Sequence, residues 1–234
     1  MLLSQPIREK GTGAVRPHDA ATIILWRKTS RHAEVLMGER SREHKFLPHR
    51  YVFPGGRVDT NDNRVRTATE LSVAVSAQLG RTTRRGRAKS IAIAAIRETF
   101  EETGLIIGGK DPFPHRPSPP GWESFFLAGF APALDRLEYI ARAITPVFRP
   151  IRFDARFFMV HADYVSGDLG GSGELENLAW MPIHKTKAFE LAIVTRNVLS
   201  YAEAIIAAPI SQSPGRKIPY FKHLTGGRHQ KIMQ

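Results

Sequence analysis

The chain is expected to adopt an α/β fold. Three observations lead there. Short runs of β-branched and aromatic residues at 20–26, 34–40, 51–53, 140–144, 156–161 and 178–181 have the length and composition of strands. The stretches 93–105 and 194–208 carry apolar residues at helical spacing instead. A length of 234 residues is enough for one domain with insertions.

Taken in order, residues 1–18 show no periodicity and read as a lead-in. Ala20 to Trp26 and Glu34 to Arg40 flank the polar turn Thr29-Ser30-Arg31-His32, the pattern of a hairpin. Val35 and Met37 fall on one side of the second strand, with Leu36 on the other. Pro54-Gly55-Gly56 ends the short strand 51–53, and adjacent glycines permit close approach of a ligand. Thr67 followed by Glu70 is a capping-box pattern, with Leu71, Val75 and Leu79 repeating behind it, so a helix is expected over 67–79. The basic run Arg81, Arg84, Arg85, Arg87 and Lys89 then reads as an exposed loop. It lacks the interleaved aromatics that stacking on nucleic acid requires. Residues 108–121, rich in Pro and Gly, are expected to be a loop, and 122–128 a short helix. The helix 194–208 should cover the sheet. The Pro- and Gly-bearing basic segment 211–234 reads as a tail.

The stretch 93–105 carries the chemistry. Glu98, Glu101 and Glu102 stand at i, i+3 and i+4, on one helical face, while Ile93, Ile96 and Phe100 face inward. Gly104 falls where a helix end favours a left-handed residue. Three like charges on one stripe repel, and a hard divalent cation would neutralise them. A bare Glu-x-x-Glu-Glu is more often only a solvated face. Its context changes that balance. Phe53-Pro54-Gly55-Gly56, together with Arg97-Glu98-Thr99-Phe100-Glu101-Glu102-Thr103-Gly104-Leu105, resembles the Nudix hydrolase signature. The second half departs from it only at Thr99, where the family has a bulky apolar residue. Asp62 stands where the family has Glu, and 34 residues separate it from Arg97 where the pattern has seven. This insertion, about residues 63–89, weighs against Asp62 as a site residue.

The resemblance implies a Nudix-type α/β/α sandwich with a mixed sheet and a helical insertion, in one domain over 19–210. It implies hydrolysis of a nucleoside diphosphate linked to another moiety, with Mg2+ or Mn2+ on Glu98, Glu101, Glu102 and the Gly55 carbonyl. Arg97 would orient a glutamate. An acidic residue in a late loop before a Trp-bearing strand would act as ligand or base, which points to Glu174, with Glu176 behind it. Leu36-Met37-Gly38-Glu39-Arg40-Ser41, with Lys45 and His49 at fixed spacing, resembles the motif of the coenzyme A diphosphatase branch, although His49 replaces a glycine. Arg40 and Lys45, with Gly55 and Gly56, would then contact substrate. Arg152-Phe153-Asp154-Ala155-Arg156-Phe157-Phe158 and the insertion resemble the larger enzymes of that branch. CoA or acyl-CoA is the leading substrate expectation. A non-catalytic nucleotide- or RNA-binding Nudix domain and an RNA-decapping enzyme are the alternatives.

Composition narrows the partners. The formal net charge of +12 favours anionic ones, a small phosphorylated substrate ahead of nucleic acid. No run of 18 apolar residues occurs, so no membrane span is expected, and the N-terminus lacks the apolar core of a secretory signal. There is no cysteine, which removes disulfides and thiolate chemistry and fits a reducing, cytoplasmic setting. The oligomeric state is open; a homodimer is compatible with everything above.

Overall fold

The computed structural model describes residues 15–41, 49–84, 86–223 and 229–234. Its strands are β1 (His18–Lys28), β2 (Ala33–Arg40), β3 (Tyr51–Val52), β4 (Gly55–Arg57), β5 (Gly108–Lys110), β6 (Phe130–Pro132), β7 (Glu138–Ile144), β8 (Phe153–His161), β9 (Leu175–Pro182), β10 (Pro219–His223) and β11 (His229–Met233). The α-helices are α1 (Val73–Gly80), α2 (Arg87–Thr103), α3 (Glu123–Leu127) and α4 (Ile193–Ala207).

Nine strands form one mixed sheet in the order β11-β10-β7-β8-β1-β2-β3, with β4 on β1 and β9 on β2. The central strand, β1, is parallel to β8 and antiparallel to β2 and β4. Its apolar residues alternate between faces, as a two-residue period requires. Ile23 and Leu25 join the core under α2, with Ile91, Ala95, Ile96 and Phe158. Ile24 joins the opposite core under α4, with Val198, Leu199, Ala202 and Ile205. Leu36 goes with the first core, Val35 and Met37 with the second. The result is a helix–sheet–helix sandwich with a large mixed sheet.

Three local expectations differ from the structure. The helix over 67–79 starts later, at Val73, capped by the Ser72 hydroxyl, which accepts from the Val75 N–H at 3.2 Å. Thr67 bonds the Glu70 side chain instead of a helix N–H. Thr69 lies extended, bridged to Ala133 and bonded to Asp135, so tertiary pairing has taken that backbone. Part of the loop 108–121 is strand β5, which pairs with β6. The segment 211–234 supplies β10 and β11: β10 runs parallel to β7, and Arg142 stacks on the Tyr220 ring. Its basic and turn-forming residues hid the alternation that places Ile218 in the core.

The basic run is also not simply an exposed loop. Arg81 donates to the carbonyls of Pro214 and Arg216, Arg87 pairs with Asp19, and Lys89 pairs with Glu70. Arg87 and Lys89 already lie in α2; Arg85 lies outside the described residues.

Arg66 fastens the insertion to the segment before α3. It holds Asp111 through Nε at 3.0 Å and Nη2 at 2.7 Å, and lies 3.7 Å over the Phe126 ring. The Arg66 hydrogen bonds hold the Asp111 carboxyl below its ordinary range. A depressed folded pKa stabilises above the unfolded value, near about 3.9, and that stability is lost as pH falls through the folded value. Wild type is therefore expected to exceed Asp111→Asn in melting temperature at pH 6, with the gap closing progressively below about pH 4.

Candidate active site

The site is built on the last turns of α2. Gly104 ends the helix in the left-handed conformation at φ 75°, its N–H donating to Phe100 O. Thr99, the departure from the motif, is fully buried and donates its hydroxyl to Ala95 O at 2.8 Å, so its polar group is not left unsatisfied.

Arg97 is the hub. Its Nη1 lies 2.9 Å from Glu98 Oε1 and 3.0 Å from Glu101 Oε2. Its Nε donates to Asp62 Oδ1 at 3.0 Å, and its Nη2 to the Arg57 carbonyl at 2.8 Å. Asp62 has no solvent exposure. The insertion thus leaves Asp62 on Arg97 and loops out between them. Sequence reasoning undervalued it; the signal was its retained spacing from Gly56.

Glu102 turns the other way and accepts the Gly55 N–H at 2.8 Å. Gly55 and Gly56 lie in β4 against β1, pressed on the helix. A Cβ on Gly56 would be driven into the Glu98 carboxylate, and one on Gly55 into the backbone of Ala21 and Thr22. Gly56→Ala is expected to cost about 1–3 kcal/mol of stability in urea titrations, as overpacking does, and to displace Glu98.

Burial, opposed by Arg97 and reinforced by Glu101 and Glu174, pushes Glu98 up to about 7. Burial pushes Glu102 up to about 8 against the Gly55 N–H and the charge of Arg40. Glu101 is raised as well, mainly by desolvation. Glu174 acts electrostatically on all three glutamates, so the loop between β8 and β9 delivers it to the site. That loop is docked on the end of α2 by Gly170 N–H to Thr103 O at 2.8 Å and Ser172 N–H to Glu101 O at 2.7 Å. Glu176 lies in β9 opposite Glu39. Arg40 reaches the site through its effect on Glu102; Lys45 lies outside the described residues.

These residues fit a hard divalent cation by donor chemistry. The carboxylates are hard oxygen donors gathered at one helix end, and burial opposes their charged forms, which a bound cation would favour. Among the described residues no three acidic or histidine side chains converge on one ion position. Glu98 and Glu101 are drawn to Arg97, and Glu102 to Gly55.

Comparison with known proteins agrees with the fold. The crystal structure of a NUDIX hydrolase from Alicyclobacillus acidocaldarius superposes with a TM-score of 0.64 at 25% identity, covering 86% of this chain and 98% of that one. A Caenorhabditis elegans protein described as "Putative nudix hydrolase 7" is 40% identical over 87 residues, 37% of this chain. The match spans only 21% of that relative's length. No family model matches. The sandwich, the glycine pair and the Arg-Glu-x-x-Glu-Glu helix are those of a Nudix domain, and the chain is similar to Nudix hydrolases.

Proposed function

We propose that the protein is a Nudix pyrophosphohydrolase, dependent on Mg2+ or Mn2+, that cleaves the pyrophosphate bond of a nucleoside diphosphate linked to another moiety. One observation carries this: Glu98, Glu101 and Glu102 share one helix end, half-buried to buried, with Arg97 paired to the first two and the Gly55 N–H to the third. A surface stripe would have been solvated; a binding module has no need to hold such costly charges.

In this reading Glu98, Glu101 and Glu102 hold the cation, with the Gly55 carbonyl as a further donor. When bound, such a cation would supply Lewis-acid charge for an anionic phosphate bridge and for a water. Water attacks phosphorus, the bridging P–O bond breaks, and the bridging oxygen leaves on the other phosphate. The water's proton goes to a carboxylate, for which Glu174, on its docked loop, is the candidate. Arg97 keeps Glu98 and Glu101 in register, so positioning and electrostatics supply most of the rate.

CoA or acyl-CoA is the substrate we favour. The support is Arg40-Ser41 at the spacing of that branch, and the charge of Arg40 felt at Glu102. His49 adds to it: at φ 57° it keeps the left-handed backbone expected of the glycine it replaces. Arg40 and Lys45 would bind substrate phosphates, beside Gly55 and Gly56. The nucleic-acid alternatives gain nothing from the basic run, whose Arg81, Arg87 and Lys89 hold other parts of the chain. Absence of cysteine supports a cytoplasmic setting. Among the described residues no helix is long and apolar enough to cross a membrane.

The test is a panel of CoA, acyl-CoA, ADP-ribose, NADH, diadenosine polyphosphates and capped RNA with Mg2+ or Mn2+, read by product mass. CoA-type turnover is expected to yield adenosine 3′,5′-bisphosphate and phosphopantetheine, or its acyl form. No turnover of any member would overturn the enzyme reading.

A further inference from the structure

Asp62 lies 35 residues before Arg97 in the chain, at the edge of the insertion, yet it is fully buried and bonded to it. Its carboxylate accepts four N–H bonds: from Asp59 N at 2.8 Å, Arg97 Nε at 3.0 Å, Arg97 Nη2 at 3.3 Å and Trp122 Nε1 at 3.3 Å. That saturates the lone pairs of a carboxylate. Arg97 in turn uses all five of its N–H groups: Nε on Asp62, Nη2 on Asp62 and the Arg57 carbonyl, Nη1 on Glu98 and Glu101. A guanidinium with every donor engaged has no alternative orientation to rotate into. Its plane is therefore set by the plane of Asp62.

Trp122 completes this chain from outside the motif. It precedes α3, is 1% exposed, and its indole N–H is the one polar group on its ring. Its position does not depend on Asp62. The ring packs edge-on to Phe125 at 5.2 Å, and Phe125 packs on Phe100 of α2 at 5.3 Å. Arg66, bridging Asp111 and the Phe126 ring, fixes the same unit from the other side.

We infer that Trp122 is a positioning residue for the candidate site: its indole N–H locks the Asp62 carboxylate, which orients Arg97 and through it Glu98 and Glu101. The functional part of this inference rests on the proposed hydrolase reading. Trp122 serves the reaction without touching the reacting atoms, in the way outer hydrogen bonds tune a metal site.

The test is Trp122→Phe, which keeps an aromatic ring among Phe125 and Phe126 and removes the donor. Its Mn2+ affinity by calorimetry without substrate, and its kcat, are each expected to fall about 10-fold. KM for the substrate found in the panel should stay within about twofold, since substrate contacts are untouched. In an Asp62→Asn background the same substitution should change either quantity less than about twofold, because the link is already cut. A third reading needs neither metal nor turnover. The Trp122 indole N–H resonance, assigned by its loss in Trp122→Phe, should shift on Glu101→Gln, a change that ring packing alone would not transmit. Wild-type Mn2+ affinity and kcat in Trp122→Phe would overturn the inference. So would effects that multiply in the double variant, or an indole resonance unmoved by Glu101→Gln. If wild type binds no Mn2+ and turns over nothing, the proposed function falls, and the indole resonance decides the linkage by itself.

Discussion

Glu101→Gln and Glu102→Gln are each expected to lower kcat by about 100-fold or more, the scale on which loss of one element of electrostatic stabilisation acts. The two should reach that result differently. Glu101 is partly exposed and is held by Arg97 Nη1, so its amide form keeps one acceptor for the guanidinium. Thermal unfolding should change little. Glu102 is 3% exposed and accepts from Gly55 N–H. Its amide oxygen can still take that bond, and removing a buried charge that burial opposes costs the fold nothing. Melting temperature should hold or rise while activity falls. Steady-state kinetics on the substrate found in the panel, with melting curves beside them, check both. Near wild-type kcat in both variants would remove these glutamates from the proposed machinery.

The opposite dissociation is expected at Asp154. This residue belongs to the Arg152–Phe158 segment that resembles the coenzyme A branch, and the structure places it in a buried ionic clamp away from the glutamates. Arg142 grips Asp154 with Nε and Nη2, both at 2.8 Å, and Arg156 Nη2 lies 3.2 Å from the same carboxylate. Arg156, its side chain 2% exposed, also reaches Asp19 at 2.9 Å and the Thr82 carbonyl at 3.1 Å. Arg142 extends the clamp to the Gln234 side chain. Removing the carboxylate leaves the buried Arg156 and the half-buried Arg142 undercompensated. Asp154→Ala is expected to cost about 3–5 kcal/mol, as breaking a buried pair does. For a chain of this size that is a fall in melting temperature of roughly 6–20 °C. The surviving folded fraction should keep kcat within about threefold, because no member of the clamp reaches α2 beyond its first residue, Arg87. Urea titration and kinetics at a temperature where both proteins are folded separate the two effects.

These paired outcomes show why motif segments cannot be read alike. The glutamate array was visible in the sequence because its geometry is local: positions i, i+3 and i+4 of one helix share a face whatever surrounds them. The same locality made β1, β2, β7, β8, α2 and α4 readable, since each buries a stripe whose period is written in consecutive residues. His49 was readable only in part. The sequence shows a histidine there; the structure shows its backbone in the left-handed region, at φ 57°.

What consecutive residues could not show were pairings across long separations. The insertion weighs against Asp62 in the sequence, yet loop closure grows only slowly in cost with length. Both ends of that loop remain anchored, Asp62 on Arg97 and Arg87 on Asp19. The segment 211–234 reads as a tail until β7 offers it an edge, and Thr67–Glu70 as a helix start until Ala133 takes its backbone. The chain alone carries the carboxylates, their spacing and the helix that displays them. Which groups surround that display – Asp62, Gly55, Glu174 and the indole of Trp122 – was decided by folding, because a buried charge takes its environment from whatever the fold brings beside it.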